Sequence, residues 1–296
     1  MRNVIRQSVV LPASTEKLFE MYINPSTHQD CDGVNQGWDK YYWTPRRTYL
    51  ASMKISLTGF AFVVAISLLF SCSTNAPLKT LYYKTDKYTT QKSMLIFLRG
   101  RGGSHEDFAS EGLINDIIIR KLPFDVAAPN AHFGYYIGRT LIPRLKADII
   151  EPARAKGYER FWLVGFSMGG LGALLYTRQY PEDVAGVCVI SPFLGDVNII
   201  REIRDAGGVR QWDPGEYDPD NDWQRMFWHW LKQQAEGEQL LPRLYLGYGA
   251  EDSFATANGL LGDLLPPDHV FTTSGGHTPK TMKKLWHIFL KKDVLK

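Results

Sequence analysis

Residues 161–170 read Phe-Trp-Leu-Val-Gly-Phe-Ser-Met-Gly-Gly, an apolar run that empties into the pattern Gly-x-Ser-x-Gly. Few folds accommodate such a segment. A strand that delivers Ser167 into a sharp strand-to-helix turn crowds the backbone around the serine, so small residues are required on either side, and Gly165 and Gly169 supply the room. The hydroxyl then stands free of the sheet, above the N-terminus of the following helix. Three fixed positions in five residues arise readily by chance, so the weight of the pattern comes from its surroundings.

Three further segments fall where a nucleophilic serine needs them. Upstream, residues 93–98 (Ser-Met-Leu-Ile-Phe-Leu) have the continuous apolar character of a buried parallel strand and lead into Arg99-Gly100-Arg101-Gly102-Gly103-Ser104. A glycine-rich loop there lets backbone N–H groups approach a substrate oxygen. Downstream, residues 244–249 read as a strand ending in Ala250-Glu251-Asp252-Ser253, and residues 270–273 lead through Ser274-Gly275-Gly276 to His277. Serine, then acid, then histidine is one of the few chain orders in which a hydroxyl, an imidazole and a carboxylate are assembled.

On these residues the chain resembles the α/β-hydrolase superfamily, in particular its small serine esterases and lipase-like members, over residues 78–295. The resemblance implies Ser167 as nucleophile, His277 as general base and then acid, and Asp252 as the residue that orients and charge-balances the imidazole. It implies the backbone N–H groups of Met168 and Arg101 as oxyanion donors, and places Arg99, Gly100 and Phe166 against the substrate. No metal and no cofactor are required, because histidine titrates near neutrality and can both take and return the proton. The expected substrate is a small-molecule or lipid ester. Thioesterase, peptidase and acyltransferase activities use the same constellation, and a non-catalytic envelope binding protein is the reading from a different class.

Two alternatives to Asp252 stand beside it: Glu251, its neighbour, and Asp196, which follows the strand at 187–190. Where members of the superfamily commonly carry a His-Gly pair in the oxyanion loop, this chain has Arg99-Gly100-Arg101. Two guanidinium groups there favour a carboxylate or phosphate on the substrate, or else form surface ion pairs. Of the other histidines, His105 and His132 sit near strand ends that border a pocket, whereas His229 and His287 fall in helical stretches as packing or surface residues. His277 is followed by Thr278 as an N-cap and Pro279 in the first turn of a helix.

Strands are expected at 80–84, 93–98, 124–128, 161–164, 184–190, 243–247 and 269–273, and helices at 106–121, 138–155, 168–180 and 279–291. This alternation predicts an α/β fold: a mostly parallel sheet of about seven or eight strands with helices on both faces. Between 194 and 240 the rhythm lapses, and Trp212, Trp223, Phe227, Trp228 and Trp230 appear among charged residues. A small helical cap over the pocket is expected there, its aromatic side chains either lining an acyl site or sealing the cap onto the body.

The first seventy residues have a different character. Lys54 precedes a sixteen-residue apolar run, 55–70, followed by Ser71-Cys72. That run is short for a membrane span of about 20 residues, and a small residue before cysteine makes residues 53–71 resemble a bacterial lipoprotein signal peptide with lipidation at Cys72. The implied location is the bacterial cell envelope, lipid-anchored on the periplasmic side of the outer membrane. Such a signal opens a protein, yet 52 residues precede Met53. Residues 4–33 resemble the opening strand and helix of a START-like (Bet v 1-like) domain, a piece too short to bury a core, so residues 1–52 read as a fragment or an extension. The alternative is an internal signal anchor at 55–70, held by Arg46, Arg47 and Lys54. The expected organisation is therefore 1–52, 53–71, and a hydrolase domain at 72–296.

Charge excludes little except nucleic acid. Residues 72–296 hold 27 Lys or Arg against 26 Asp or Glu, which is no basic footprint. Of the three cysteines, Cys31 lies upstream, Cys72 would carry lipid, and Cys188 sits in an apolar strand as packing, so no internal disulfide remains in a processed chain.

Overall fold

The computed structural model describes residues 76–85, 92–237 and 243–295. The signal-peptide and START-like readings, and Cys72, lie outside the described residues.

Seven strands form one sheet among the described residues: β1 (Thr80–Tyr83), β2 (Ser93–Leu98), β3 (Asp125–Pro129), β4 (Arg160–Phe166), β5 (Val184–Ile190), β6 (Arg243–Gly249) and β7 (Val270–Thr273). Their spatial order is β1-β3-β2-β4-β5-β6-β7. Only β1 runs antiparallel, pairing Thr80 with Pro129 and Tyr83 with Val126. The remaining pairs are parallel, which puts all their C-terminal ends on one edge.

Side-chain alternation explains how one sheet serves two cores. From β2, Met94, Ile96 and Leu98 pack on one face and Leu95 and Phe97 on the other. The second face receives α1 (Asp107–Ser110) and α2 (Leu113–Ile119), which contribute Phe108, Leu113, Ile114 and Ile117. The first face receives α3 (Phe133–Ile137), α4 (Leu141–Leu145), α5 (Glu151–Ala155) and α6 (Met168–Gln179). Also on that face are α7 (Val197–Asp205), α8 (Trp223–Glu236) and α9 (Ala255–Gly262). The last helix, α10 (Pro279–Lys291), returns to the second face with Leu285, Trp286 and Phe289 fully buried. Both faces are thus covered, as a parallel sheet requires.

The departures from the expected helices have local causes. The helix expected at 106–121 is divided because Gly112 adopts φ 87°, a left-handed conformation that ends one helix and opens the next. The helix expected from 138 starts at Leu141, after Arg139 at φ 53°. Between α4 and α5 a π turn, Lys146–Ile150, sends the Glu151 N–H back to the Lys146 carbonyl. Pro152 follows it, a residue with no N–H to give an ordinary i to i−4 bond. α3 and α9 were not expected from periodicity, each being short and irregular in its apolar pattern.

The segment at 194–237 carries α7 and α8. Trp212, Phe227 and Trp228 are fully buried in the first-face core. The Trp212 indole N–H donates to Glu202 (2.8 Å) and that of Trp228 to the Leu194 carbonyl (2.8 Å). These three rings therefore seal the segment onto the body rather than line a site. Trp223 and Trp230 are only partly buried.

Candidate active site

Ser167 follows β4 directly and precedes α6, with φ 53° and ψ −118°. An L-residue reaches such a conformation only under strain. The neighbours show what compels it: a Cβ at Gly165 would lie 2.3 Å from the Gly169 carbonyl oxygen, and one at Gly169 would lie 2.0 Å from that of Leu98. The turn exists because backbone, not side chain, fills these positions. The Ser167 amide donates to the Ile190 carbonyl (3.0 Å), and its own carbonyl accepts from Phe193 (3.0 Å), tying the turn to the end of β5.

His277 and Asp252 reach Ser167 from the ends of β7 and β6. The His277 Nε2 lies 2.9 Å from Ser167 Oγ, while its Nδ1 lies 2.9 and 3.0 Å from the two Asp252 oxygens. With Nδ1 facing a carboxylate, it carries the proton and leaves Nε2 to accept from the serine. Asp252 has a buried side chain and also accepts from the Phe254 amide (2.8 Å). Burial pushes its carboxyl up, but the hydrogen bond and charge of His277, together with the Phe254 N–H, outweigh it and leave the group below the usual carboxylate range.

Glu251 and Asp196 take other parts. A Glu251 carboxylate oxygen accepts from the Gly275 amide, and the Glu251 amide donates to the Gly275 carbonyl (3.3 Å), so this residue clasps the loop that carries His277. The two loops meet so closely that a Cβ at Gly249 would lie 2.0 Å from the Gly275 oxygen. Asp196 precedes α7 and accepts from Gln224 (2.8 Å). Behind His277, Thr278 caps α10 by accepting from the Thr281 amide (3.3 Å), as the sequence predicts.

On the other side of the serine runs the loop 99–103. A Cβ on Gly100 would come within 3.0 Å of Ser167 Cβ and 3.6 Å of its Oγ, so bare backbone passes the hydroxyl. Met168 opens α6, and first-turn amides have no intrahelical partner. Beside this loop lies a cavity of about 380 Å³, lined by residues 99–103, residues 131–134 and Met168.

Of the expected substrate contacts, Arg99 is also held by carboxylates, and Phe166 is corrected. The Arg99 guanidinium grips Glu111 through two hydrogen bonds (2.9 and 3.2 Å) and Asp107 at 3.0 Å, over the Phe108 ring. It is a strut for the loop, and the ion-pair reading holds for it. Phe166 is buried among Phe97 and Phe108 on the second face, because alternation along β4 turns it away from the side that Gly165 presents. Arg99, Gly100 and Arg101 all line the cavity, and the Arg101 guanidinium lies 4.6 Å over the Phe133 ring.

Of the remaining histidines, His132 lines the cavity and caps α3, its Nδ1 accepting from Gly134 (3.1 Å). His105 is buried. His229 meets the Tyr217 hydroxyl (2.7 Å) and His287 meets Asp116 (2.9 Å), both away from Ser167. Sequence reasoning found His132 but missed Ala131, Phe133, Gly134, Phe193 and Phe254. The Phe254 ring stands edge-on to His277 at 4.8 Å and meets Phe193 at 5.5 Å, which in turn meets Trp223 at 6.4 Å. All of these except Trp223 follow the C-terminal end of a parallel strand, the signal that would have found them. Among the described residues, no three His, Cys, Asp or Glu side chains gather to hold a metal ion.

Residues 93–226 match a family described as alpha/beta hydrolase fold. No curated protein matches the chain. Similar solved structures include an S-formylglutathione hydrolase from Staphylococcus aureus, 14% identical over 70% of this chain and 84% of that one, with a TM-score of 0.47. A monoacylglycerol lipase from Paleococcus ferrophilus is 15% identical over 73% and 98%, with a TM-score of 0.48. Est1E from Butyrivibrio proteoclasticus, solved with ferulic acid bound, is 14% identical over 74% and 96%, with a TM-score of 0.46.

Proposed function

We propose that this chain is a serine hydrolase that cleaves a carboxylic ester through an acyl-enzyme intermediate. The observation that carries the reading is the unbroken line from Ser167 Oγ through His277 to Asp252, with each gap between 2.9 and 3.0 Å. Ser167 Oγ attacks the ester carbonyl carbon while His277 Nε2 takes the hydroxyl proton. The carbonyl oxygen becomes an oxyanion, held by the backbone N–H groups of Met168 and Arg101, each donor worth about 3 to 4 kcal/mol. The C–O bond to the alcohol then breaks, and His277 returns the proton to the departing oxygen. Water repeats the sequence: His277 takes one proton, hydroxide adds to the acyl carbon, and the serine leaves with the proton restored. Asp252 stays ionised throughout, fixes the Nδ1–H tautomer and balances the imidazolium.

The test is covalent. A fluorophosphonate probe should label the full-length protein once, at Ser167, and p-nitrophenyl acetate should release a burst of p-nitrophenolate equal to the enzyme present. Absence of label and burst in folded protein would sink the proposal. Thioester and amide substrates run in parallel would separate the activities that share this machinery.

We further propose attachment to the bacterial envelope through lipid on Cys72, which rests on the apolar run at 55–70 followed by Ser71-Cys72. Among the described residues no helix is long and apolar enough to cross a membrane. Mass spectrometry of the natural N-terminus decides the matter: an acylated Cys72 supports it, and an intact Met1 removes it.

A further inference from the structure

The antiparallel strand β1 decides where the chain enters the hydrolase body. Because β1 runs against β3, pairing Thr80 with Pro129, its N-terminal end lies beside the C-terminal end of β3. That is the edge of the sheet where Ser167, Asp252 and His277 follow their strands. The entry is held in place there. The Asn130 amide donates to the Lys79 carbonyl (2.7 Å) and the Leu78 amide to Asp148 (2.8 Å), while the Tyr135 hydroxyl donates to the carbonyls of Ala76 (3.2 Å) and Pro77 (3.4 Å). A parallel β1 would have brought the chain in at the opposite edge, away from the catalytic residues.

Tyr135 belongs to α3, and two other side chains of that helix are left bare. Phe133 is 39% exposed and Ile137 68%. Four residues apart, they share one face of the helix, while Tyr135 is buried. Phe133 also lines the cavity beside the loop 99–103. Four residues lead from Cys72 to Ala76, a reach of about 14 Å at full extension. An acyl chain on Cys72 therefore keeps the bilayer within that distance of the point where α3 holds the chain. The other exposed apolar pair, Ile118 and Ile119, ends α2, which returns the chain to the start of β3 at the opposite edge of the sheet.

We propose that α3 is the membrane-docking element of this chain: Phe133 and Ile137 insert at the headgroup boundary of the bilayer that carries the Cys72 lipid, and the catalytic edge of the sheet faces that bilayer. The inference rests on the lipid-anchor reading and adds an orientation to it. The occupant of the face is lipid, because the attachment point of the chain itself delivers the face to lipid. Two side chains bind a bilayer weakly alone, but a short tether raises their effective concentration to about the millimolar range, which lets a weak contact persist. The cavity, with Phe133 in its wall, then opens beside the membrane surface.

The experiment compares the two exposed apolar sites in one protein. The full-length chain, made in a Gram-negative bacterium with Cys31→Ser and either Ile137→Cys or Ile119→Cys, is reconstituted into vesicles of phosphatidylethanolamine and phosphatidylglycerol and labelled with a thiol-reactive fluorophore. Cys188 is fully buried, and the Cys31→Ser parent supplies the background. Nitroxide-labelled lipid should quench the probe at 137 by about half or more, as a position about 5 to 10 Å into the headgroup and acyl boundary requires, and should leave the probe at 119 unquenched. Adding Phe133→Ser to the Ile137→Cys protein should lower that quenching by about twofold, since half of the apolar face is removed. Equal quenching at 137 and 119, none at 137, or quenching indifferent to Phe133→Ser would overturn the docking face. Flotation and the mass of the N-terminal peptide read the anchor separately. Protein that floats with an acylated Cys72 and an unquenched 137 loses the face and keeps the anchor, whereas protein that stays behind loses both.

Discussion

The two sides of Ser167 are built by different means. Toward β6 and β7 the line to the hydroxyl runs through side chains, Ser167 to His277 and His277 to a buried Asp252, with the Glu251 carboxylate accepting from the Gly275 amide behind. Toward β2 the wall is backbone, with Gly100 against the hydroxyl and a cavity beyond it. The first side admits one geometry, because a buried carboxylate and an imidazole exchange directional hydrogen bonds. The second leaves room for a substrate. A fixed hydrogen-bonded side and an open side thus meet at a single oxygen atom.

Substitutions can test that separation, beginning where the loss should be greatest. Ser167→Ala or His277→Ala should lower kcat by about 10⁶-fold, with the double variant no worse than either single, since the pair acts as a unit. Steady-state hydrolysis of p-nitrophenyl acetate reads this, and multiplicative losses would mean that the two side chains act independently. Asp252→Asn should cost about 10⁴-fold, because the amide favours the wrong imidazole tautomer while keeping the packing.

The same substitution carries a pH signature. The Asp252 carboxyl is depressed in the folded protein from its ordinary 3.8. Its stabilising contribution is therefore fully present above that value and is lost as pH falls below it toward the folded pKa. The Tm gap between the parent and Asp252→Asn should close on acidification below about pH 4, as followed by circular dichroism; a gap that widens there would reverse the sign of the shift.

Across the serine the effects should be smaller. Gly100→Ala places a methyl group 3.0 Å from Ser167 Cβ, and about a 10- to 100-fold loss in kcat with little change in Tm is expected, since a misplacement on the scale of an ångström is enough. Glu111→Gln weakens the clamp on Arg99 and should move KM by only about threefold, the usual size of a part-exposed ion pair. If the Glu111 variant proved the more damaging of the two, the loop would depend on its strut rather than on its bare backbone.

Much of this was legible from the chain. The apolar runs at 93–98 and 184–190 became β2 and β5 with the expected bounds, because buried parallel strands need unbroken apolar character. Asp252 was preferable to Glu251 from its place after β6, although only coordinates give the adjacent glutamate its separate task. Phe166 misled because neighbours in sequence point in different directions, and it drops through the sheet away from Ser167. Arg99 lines the cavity, but only coordinates show that α1 and its following turn hold its guanidinium. For the tryptophans at 212 and 228 the sequence left both readings open, since composition does not distinguish a ring that lines a pocket from one that closes a core.

What the sequence alone determined is whatever a local pattern dictates: strand, tight turn and helix around Ser167, the glycines that make the turn possible, and the order in which hydroxyl, carboxylate and imidazole occur. What tertiary structure decided is how residues 110 positions apart come to lie within a hydrogen bond, and which carboxylates hold Arg99. Local patterns are set by sterics and hydrogen bonding between residues a few positions apart. Convergence across the sheet depends on register, twist and the packing of both cores, properties that belong to all the strands together and to none of them singly.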